Sequence, residues 1–125
     1  MAGWIAVAES SALAVGGVVE ITCRNEDLLL YRDADGNCHA VTAYCPHLKN
    51  YMPNGLAPGA GLEKLLHEGQ LQCPYHGWRF NAEGQCSHMP QGQRVPPAVR
   101  AGKPVLRRWS VREEQGRIEI GQLLP

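Results

Sequence analysis

Short apolar runs separated by turn residues make up most of this chain, and no long stretch keeps a helical period. Runs rich in Val, Ile and Leu at 4–7, 18–23 and 28–31 are typical of β-strands. An Asp- and Gly-containing segment at 33–37 predicts a hairpin turn before a further strand at 38–43. The first half of the chain is therefore predicted to be an antiparallel meander.

The second half shows the same alternation of strands and turns. A turn at 81–85 follows the short run 78–80, and a turn at Gln115 and Gly116 separates the runs 105–112 and 117–120. These patterns predict two more hairpins, so the fold class is expected to be all-β.

A Gly- and Pro-rich stretch from Tyr51 to Gly69 interrupts the strand pattern and predicts a loop. Within it, Leu62, Leu65 and Leu66 have i, i+3, i+4 spacing, which predicts a helix of about two turns packed on the sheet. The chain has no internal repeat and no linker sequence, so residues 1–125 are expected to form a single domain.

Composition and charge exclude several functional classes. The 125 residues include 12 Lys plus Arg and 12 Asp plus Glu, so no basic field is available for nucleic acid. No uncharged apolar run approaches the length of a membrane span, and no basic segment precedes the apolar N-terminus as in a secretory signal. A cytoplasmic location is therefore expected, and in that reducing compartment the five cysteines favour metal ligation over disulfides.

Two short segments each offer one thiolate and one imidazole: Cys45 with His47, and Cys73 with His76. A binuclear cluster can use both segments if the cysteines bind one iron and the histidines bind the other, which is the ligand set of a Rieske [2Fe-2S] centre. The main alternative is a structural zinc site, but zinc fingers usually pair cysteine with cysteine along the chain. The other cysteines and histidines are expected to have ordinary packing or surface roles: Cys23, Cys38, Cys86, His39, His67 and His88.

The motifs at 28–36, 43–48, 73–80 and 95–97 resemble those of the Rieske domains. The likeness is strongest to the N-terminal Rieske domain of ring-hydroxylating oxygenases, in the 3-ketosteroid hydroxylase and cholesterol desaturase branch. The resemblance implies a Rieske-type antiparallel β-sandwich with a small cluster-binding subdomain of two loops. These are residues 44–50, here called the first loop, and residues 73–80, the second loop, with an inserted loop at about 51–70.

The resemblance also implies roles for individual residues. Cys45 and Cys73 would bind the buried iron, and His47 and His76 the outer iron that gains and loses the electron. Lys49 stands where the family usually has glycine, so the first loop is expected either to turn differently or to place a cation near the cluster. Four residues are expected to surround the cluster: Lys49, Tyr75, Gly77 and Trp78.

Two functional hypotheses follow from the resemblance, and both involve a multicomponent oxygenase system. In the first, the chain is a stand-alone [2Fe-2S] electron carrier, not an enzyme by itself, that passes electrons from a flavin-dependent reductase to an oxygenase component. In the second, it is the N-terminal Rieske domain of a ring-hydroxylating or steroid oxygenase terminal component, a monooxygenase or dioxygenase, without the catalytic domain. The two-His-one-carboxylate iron site that such a catalytic domain would carry is not recognisable in the sequence. A third hypothesis is a regulatory protein that keeps the Rieske fold without transferring electrons. It is disfavoured because such a protein would tolerate loss of the cluster ligands, and all four expected ligands are present.

Overall fold

Two antiparallel β-sheets and the loops between them make up the structure, a computed structural model that describes residues 3–46, 48–90 and 92–125. The strands are β1 Ile5–Glu9, β2 Val18–Cys23, β3 Glu26–Arg32, β4 Cys38–Thr42, β5 Leu66–His67, β6 Gln70–Gln72, β7 Arg79–Phe80, β8 Cys86–His88, β9 Arg108–Glu114 and β10 Arg117–Leu123. One short helix, α1 Pro97–Arg100, and 3₁₀ turns at Ser10–Ala12, Met52–Gly55 and Leu62–Leu65 complete the elements.

The larger sheet has six strands in the order β1-β10-β9-β4-β3-β2, and the smaller sheet has four in the order β5-β6-β7-β8. The predicted all-β, antiparallel architecture is thus confirmed. Within the described residues, no helix is long and apolar enough to cross a membrane.

The hairpin of β3 and β4 forms where the turn sequence predicted it. Asp33 Oδ1 accepts hydrogen bonds from the backbone N–H groups of Asp35 and Asn37, each at 2.9 Å. Gly36 has a φ of +87°, which a residue with a side chain rarely adopts. The hairpin of β9 and β10 likewise forms, with Glu114 opposite Arg117.

Strand β3 is buried on both faces. Leu28 and Leu30 pack into one core with residues of β9 and β10, whereas Leu29 and Tyr31 pack into a second core beside the smaller sheet. Because successive side chains of a strand point to opposite faces, an uninterrupted apolar run is what such a strand requires. The second core also contains Cys45 and Cys73, so β3 supports the site described below.

The prediction of a two-turn helix in the inserted segment is wrong. Leu62–Leu65 forms a single 3₁₀ turn, and the chain then becomes extended, so that Leu66 pairs with Leu71 across β5 and β6. Glu68 and Gly69, with φ of +51° and +81°, form the two-residue turn of this hairpin. The apolar spacing that resembled a helix arises because Leu65 enters the core and Leu66 begins a strand.

Candidate metal centre

The first loop lies directly after β4 and is closed by backbone hydrogen bonds around Cys45. The N–H of Cys45 donates to the carbonyl of Asn50 at 2.9 Å, and the N–H of Lys49 donates to the carbonyl of Cys45 at 2.7 Å. Tyr44 and Tyr51 pair as a β-bridge at the base. These contacts therefore close the first loop on itself between Tyr44 and Tyr51.

The second loop joins β6 to β7 and repeats the same hydrogen-bond pattern. The N–H of Cys73 donates to the carbonyl of Trp78 at 2.8 Å, and the N–H of Gly77 donates to the carbonyl of Cys73 at 2.9 Å. In both loops a cysteine thus bonds to the residues four and five positions later. Sequence reasoning identified the two cysteines but not this repeated backbone ring.

Lys49 does not change the turn of the first loop. Its φ of +59° lies in the same left-handed region as the +79° of Gly77, the corresponding residue of the second loop. Of the two alternatives expected for Lys49, a different turn at this residue is therefore wrong, because the lysine backbone adopts the conformation that a glycine would favour. Its exposed side chain lines a cavity that also borders Cys45 and Arg107, so a cation does lie on this side of the site.

The side chains of Cys45 and Cys73 contact each other within one buried core. Their residues are 1% and 0% exposed, and the two side chains are hydrogen-bonded to each other. The hydrogen bond from Cys45 lowers the pKa of Cys73 to about 6 against the opposing effect of burial, with help from the backbone N–H groups of Tyr75 and His76. This environment stabilises a thiolate, the form of cysteine that binds metals.

These residues fit the sulfur side of a Rieske cluster. Two adjacent buried sulfurs, with backbone N–H groups directed at one of them, are suited to a single iron and to hydrogen bonds that offset negative charge. Among residues 3–46, 48–90 and 92–125, no three His, Cys, Asp or Glu side chains converge on one ion. A binuclear cluster takes only two protein ligands per iron, so it does not require such a convergence.

The structure describes only one of the two predicted histidine ligands. His76 is an exposed residue in the second loop, two positions before buried Trp78. Its predicted partner His47 lies outside the described residues. Beside His76, Tyr75 is 41% exposed, so the tip presents an aromatic side chain to its surroundings.

Trp78 and Gly77 connect the second loop to the segment that precedes α1. The indole N–H of Trp78 donates to Gln93 Oε1 at 2.6 Å, and the Gln93 amide N–H donates to the carbonyl of His76 at 2.8 Å. A Cβ on Gly77 would lie 2.9 Å from Pro90 Cγ, so glycine also permits this close packing. No sequence signal identified Gln93, because a glutamine in a Pro- and Gly-rich stretch has no distinguishing pattern.

The base of the first loop is tied to the larger sheet by two tyrosine hydroxyls. Tyr44 donates to Asp27 Oδ2 at 2.7 Å, and Tyr51 donates to Glu20 Oε2. The two rings lie 5.4 Å apart between centroids. Burial and the Glu20 hydrogen bond raise the pKa of Tyr51, so its hydroxyl keeps the proton that it donates. Sequence reasoning missed this pair as well.

The remaining cysteines are buried or half-buried side chains in strands, as the sequence predicted. Cys23 belongs to the core on the other face of β3, and Cys38 and Cys86 are half-buried strand residues. Burial raises the pKa of the Cys38 thiol to about 11 and also raises that of Cys86. All five cysteines are in the described part of the chain, and none of them forms a disulfide.

Comparisons with known proteins agree with this arrangement. The family model for the Rieske [2Fe-2S] domain matches residues 3–100. The cholesterol 7-desaturase of Bombyx mori is 40% identical over 119 residues, covering 94% of this chain and 23% of that protein. The probable 3-ketosteroid-9-alpha-monooxygenase oxygenase component of Rhodococcus rhodochrous is 27% identical over 118 residues, covering 94% of this chain and 26% of that protein.

Among solved structures, dicamba monooxygenase superposes with a TM-score of 0.75 and 32% identity, covering 95% of this chain and 32% of that one. The chain spans only about a quarter of the length of the cholesterol 7-desaturase and of the 3-ketosteroid-9-alpha-monooxygenase component, 23% and 26%. The cofactor of this family is a Rieske-type [2Fe-2S] cluster. By its motifs, fold and family match, the chain belongs to the Rieske [2Fe-2S] domain family and resembles the N-terminal Rieske domain of oxygenases.

Proposed function

We propose that this chain is the electron-accepting Rieske domain of an oxygenase or desaturase that acts on a sterol or steroid. In this proposal Cys45 and Cys73 hold one iron, and His47 and His76 hold the other. The observation that carries it is the buried, hydrogen-bonded pair of cysteine thiols, each at the start of a loop that the same backbone hydrogen-bond pattern closes.

The cluster, when bound, takes up and releases one electron at a time. The buried and the exposed residues of the site are proposed to have different roles. The two cysteines exclude water from the sulfur side, since they belong to the apolar core with Leu71 and Phe80. His76 lies at the exposed end, so electron exchange with a partner is proposed to occur through the histidine side.

The comparisons favour a domain of an oxygenase over a stand-alone carrier. The similar proteins are named as a desaturase, an oxygenase component and a monooxygenase, and the matched region covers only 23%, 26% and 32% of their respective lengths. The sterol or steroid substrate is inferred from the first two names. We further propose a flavin-dependent reductase as the electron donor and a cytoplasmic location, which the set of five thiols supports.

Cluster binding is tested by reconstituting the chain anaerobically with iron and sulfide. We expect two irons and two sulfides per chain and, after dithionite reduction, an electron paramagnetic resonance signal with nitrogen hyperfine coupling. Cys73→Ser should abolish the signal, whereas Cys38→Ser, a change of a half-buried thiol packed against the other core, should retain it. A single colourless zinc ion per chain would contradict the proposal.

The oxygenase assignment is tested by a domain exchange. Residues 1–125 replace the matching region of the Bombyx mori cholesterol 7-desaturase, and sterol products are measured. We expect cholesterol 7-desaturation to persist in the chimera and to disappear when Cys73→Ser is added. A chimera that carries the reduced cluster but forms no product, while the isolated chain reduces a separate oxygenase component, would favour the carrier hypothesis instead.

A further inference from the structure

The side chain of Gln93 bridges two points of the second loop that lie on either side of Gly77. Its carbonyl oxygen accepts the indole N–H of Trp78 at 2.6 Å, and its amide nitrogen donates to the backbone carbonyl of His76 at 2.8 Å. Both distances are those of well-formed hydrogen bonds. One amide group therefore uses its acceptor and one of its donors on the same loop.

The bridge connects a rigid residue to an exposed one. Trp78 is 2% exposed and packs near Phe80, with ring centroids 6.4 Å apart, so its position is set by the core. His76 is exposed at the tip, where packing contributes least to fixing a side chain. The two hydrogen bonds of Gln93 therefore hold the carbonyl of His76 at a fixed position relative to the buried indole.

A second contact from the same segment acts on the residue between them. Pro90 lies so close to Gly77 that a Cβ there would approach its Cγ to 2.9 Å. Gly77 in turn donates its N–H to the Cys73 carbonyl and holds a φ of +79°. The segment before α1 thus restrains the loop at consecutive residues, whereas the first loop is anchored at its base by Tyr44 and Tyr51.

We propose that Gln93 is a positioning residue for the cluster, which fixes the backbone of His76 against Trp78 so that the imidazole is held at the outer iron. The inference rests on the proposed function, since it requires His76 to be a ligand. It assigns to the segment before α1 a role in setting the geometry of the nitrogen side of the site.

The chain supplies a matched control for this residue. Gln85 is also a half-buried glutamine whose amide bridges a side-chain donor and a backbone carbonyl: it accepts from Asn81 Nδ2 at 2.9 Å and donates to the carbonyl of Gly102 at 2.7 Å. It lies beside the turn after β7 rather than on either loop. Gln85→Leu removes the same chemistry without touching the proposed site.

The experiment compares wild type, Gln93→Leu and Gln85→Leu as reconstituted full chains. We expect Gln93→Leu to release its cluster to EDTA about tenfold faster than wild type, because two hydrogen bonds that restrain a ligand are lost. We also expect an altered nitrogen hyperfine coupling in its reduced spectrum. Gln85→Leu should match wild type in both measurements. Equal release rates and identical spectra for all three chains would overturn the inference.

Gln93→Glu covers the case in which Gln93→Leu does not fold. A carboxylate still accepts the Trp78 N–H but cannot donate to the His76 carbonyl, and Gln85→Glu controls for the added charge. We expect the nitrogen coupling to change in Gln93→Glu alone. If wild type itself shows no nitrogen coupling, the proposed function fails; if wild type shows it and Gln93→Glu leaves it unchanged, only the inference fails.

Discussion

Lys49 and Gly77 occupy the same place in two loops, four residues after a cysteine whose carbonyl accepts each of their N–H groups. Both have left-handed backbones, with φ of +59° and +79°. A lysine in this conformation is strained relative to glycine because its Cβ crowds the neighbouring carbonyl. The two loops therefore share this closing hydrogen bond and backbone conformation, but the conformational cost is higher for the lysine.

Lys49→Gly should raise the free energy of unfolding by about 1 kcal/mol, since the relief of left-handed strain exceeds the added freedom of the unfolded chain. Urea unfolding of the chain measures the change. An unfolding free energy below that of wild type would show that the lysine side chain contributes more than its backbone costs.

Gly77→Ala should lower the free energy of unfolding by about 2 kcal/mol or more, because backbone strain is combined with crowding against Pro90. Gly116→Ala is the matched control, since Gly116 has a similar φ of +78° with nothing within 4 Å of an added Cβ. The difference between the two variants isolates the Pro90 contact. Equal losses would mean that this packing carries no energetic weight.

Tyr51→Phe should lower the free energy of unfolding by about 1 kcal/mol, because it leaves the Glu20 carboxylate without a charge-assisted hydrogen bond. Tyr44→Phe removes the corresponding bond to Asp27 from a more exposed tyrosine and should have the smaller effect. Thermal or urea unfolding compares the two. A larger loss for Tyr44→Phe would reverse the assigned importance of these anchors.

Arg32→Lys should lower the free energy of unfolding by about 2 kcal/mol, because an ammonium group cannot make all the hydrogen bonds that the planar guanidinium group of Arg32 makes. Arg32 donates to the carbonyls of Leu13 and Gly36, and it holds Glu113 through two bonds of 2.8 and 3.1 Å while its side chain is only 12% exposed. In the control Arg112→Lys, the pair with Glu119 involves an arginine side chain that is 43% exposed, and the change should stay below about 0.5 kcal/mol.

Acid should destabilise the fold partly through Asp33. Burial raises the pKa of this carboxyl, but hydrogen bonds from His39 and from the backbone N–H of Asn37 outweigh it, so the pKa lies below its ordinary value. A lowered folded-state pKa contributes stability that is present above the unfolded pKa of about 4 and is lost as the pH falls through the folded value. Glu113, whose pKa the Arg32 hydrogen bond lowers, acts in the same direction.

The melting temperature of Asp33→Asn should therefore fall less than that of wild type when the pH is lowered from about 7 to about 3. Asp35→Asn, a change of the neighbouring carboxylate in the same turn, is the control. Parallel curves for wild type and Asp33→Asn would remove Asp33 from the acid response.

The hairpins were predictable from sequence because their signals are local. The segment 33–37 contains both the Asp side chain that caps the turn and the Gly that the backbone requires. The hairpin of β5 and β6 was not predictable, since strands of two and three residues carry no period, and Leu62, Leu65 and Leu66 match a helix by chance. Tertiary packing decides such short segments.

The contact between Cys45 and Cys73 was predictable for a different reason, since ligand chemistry restricts which residue types occur at which spacing. Gln93 was not, because its partners His76 and Trp78 lie 17 and 15 positions away in a segment without regular structure. The sequence identified Lys49 as a departure from the family. Its backbone conformation was not predictable, because it depends on the hydrogen bond to the carbonyl of Cys45, which the sequence alone does not show.

The placement of β3 between two cores has a consequence for how the domain behaves as a redox unit. Its alternate side chains belong to both apolar interiors, so the cluster-binding half and the scaffold half share a strand and should melt in one cooperative transition. The thiol end of the site is built directly on that shared strand's interior. In the proposed function, the sulfur side of the cluster would therefore be held by structure that unfolds only together with the whole domain.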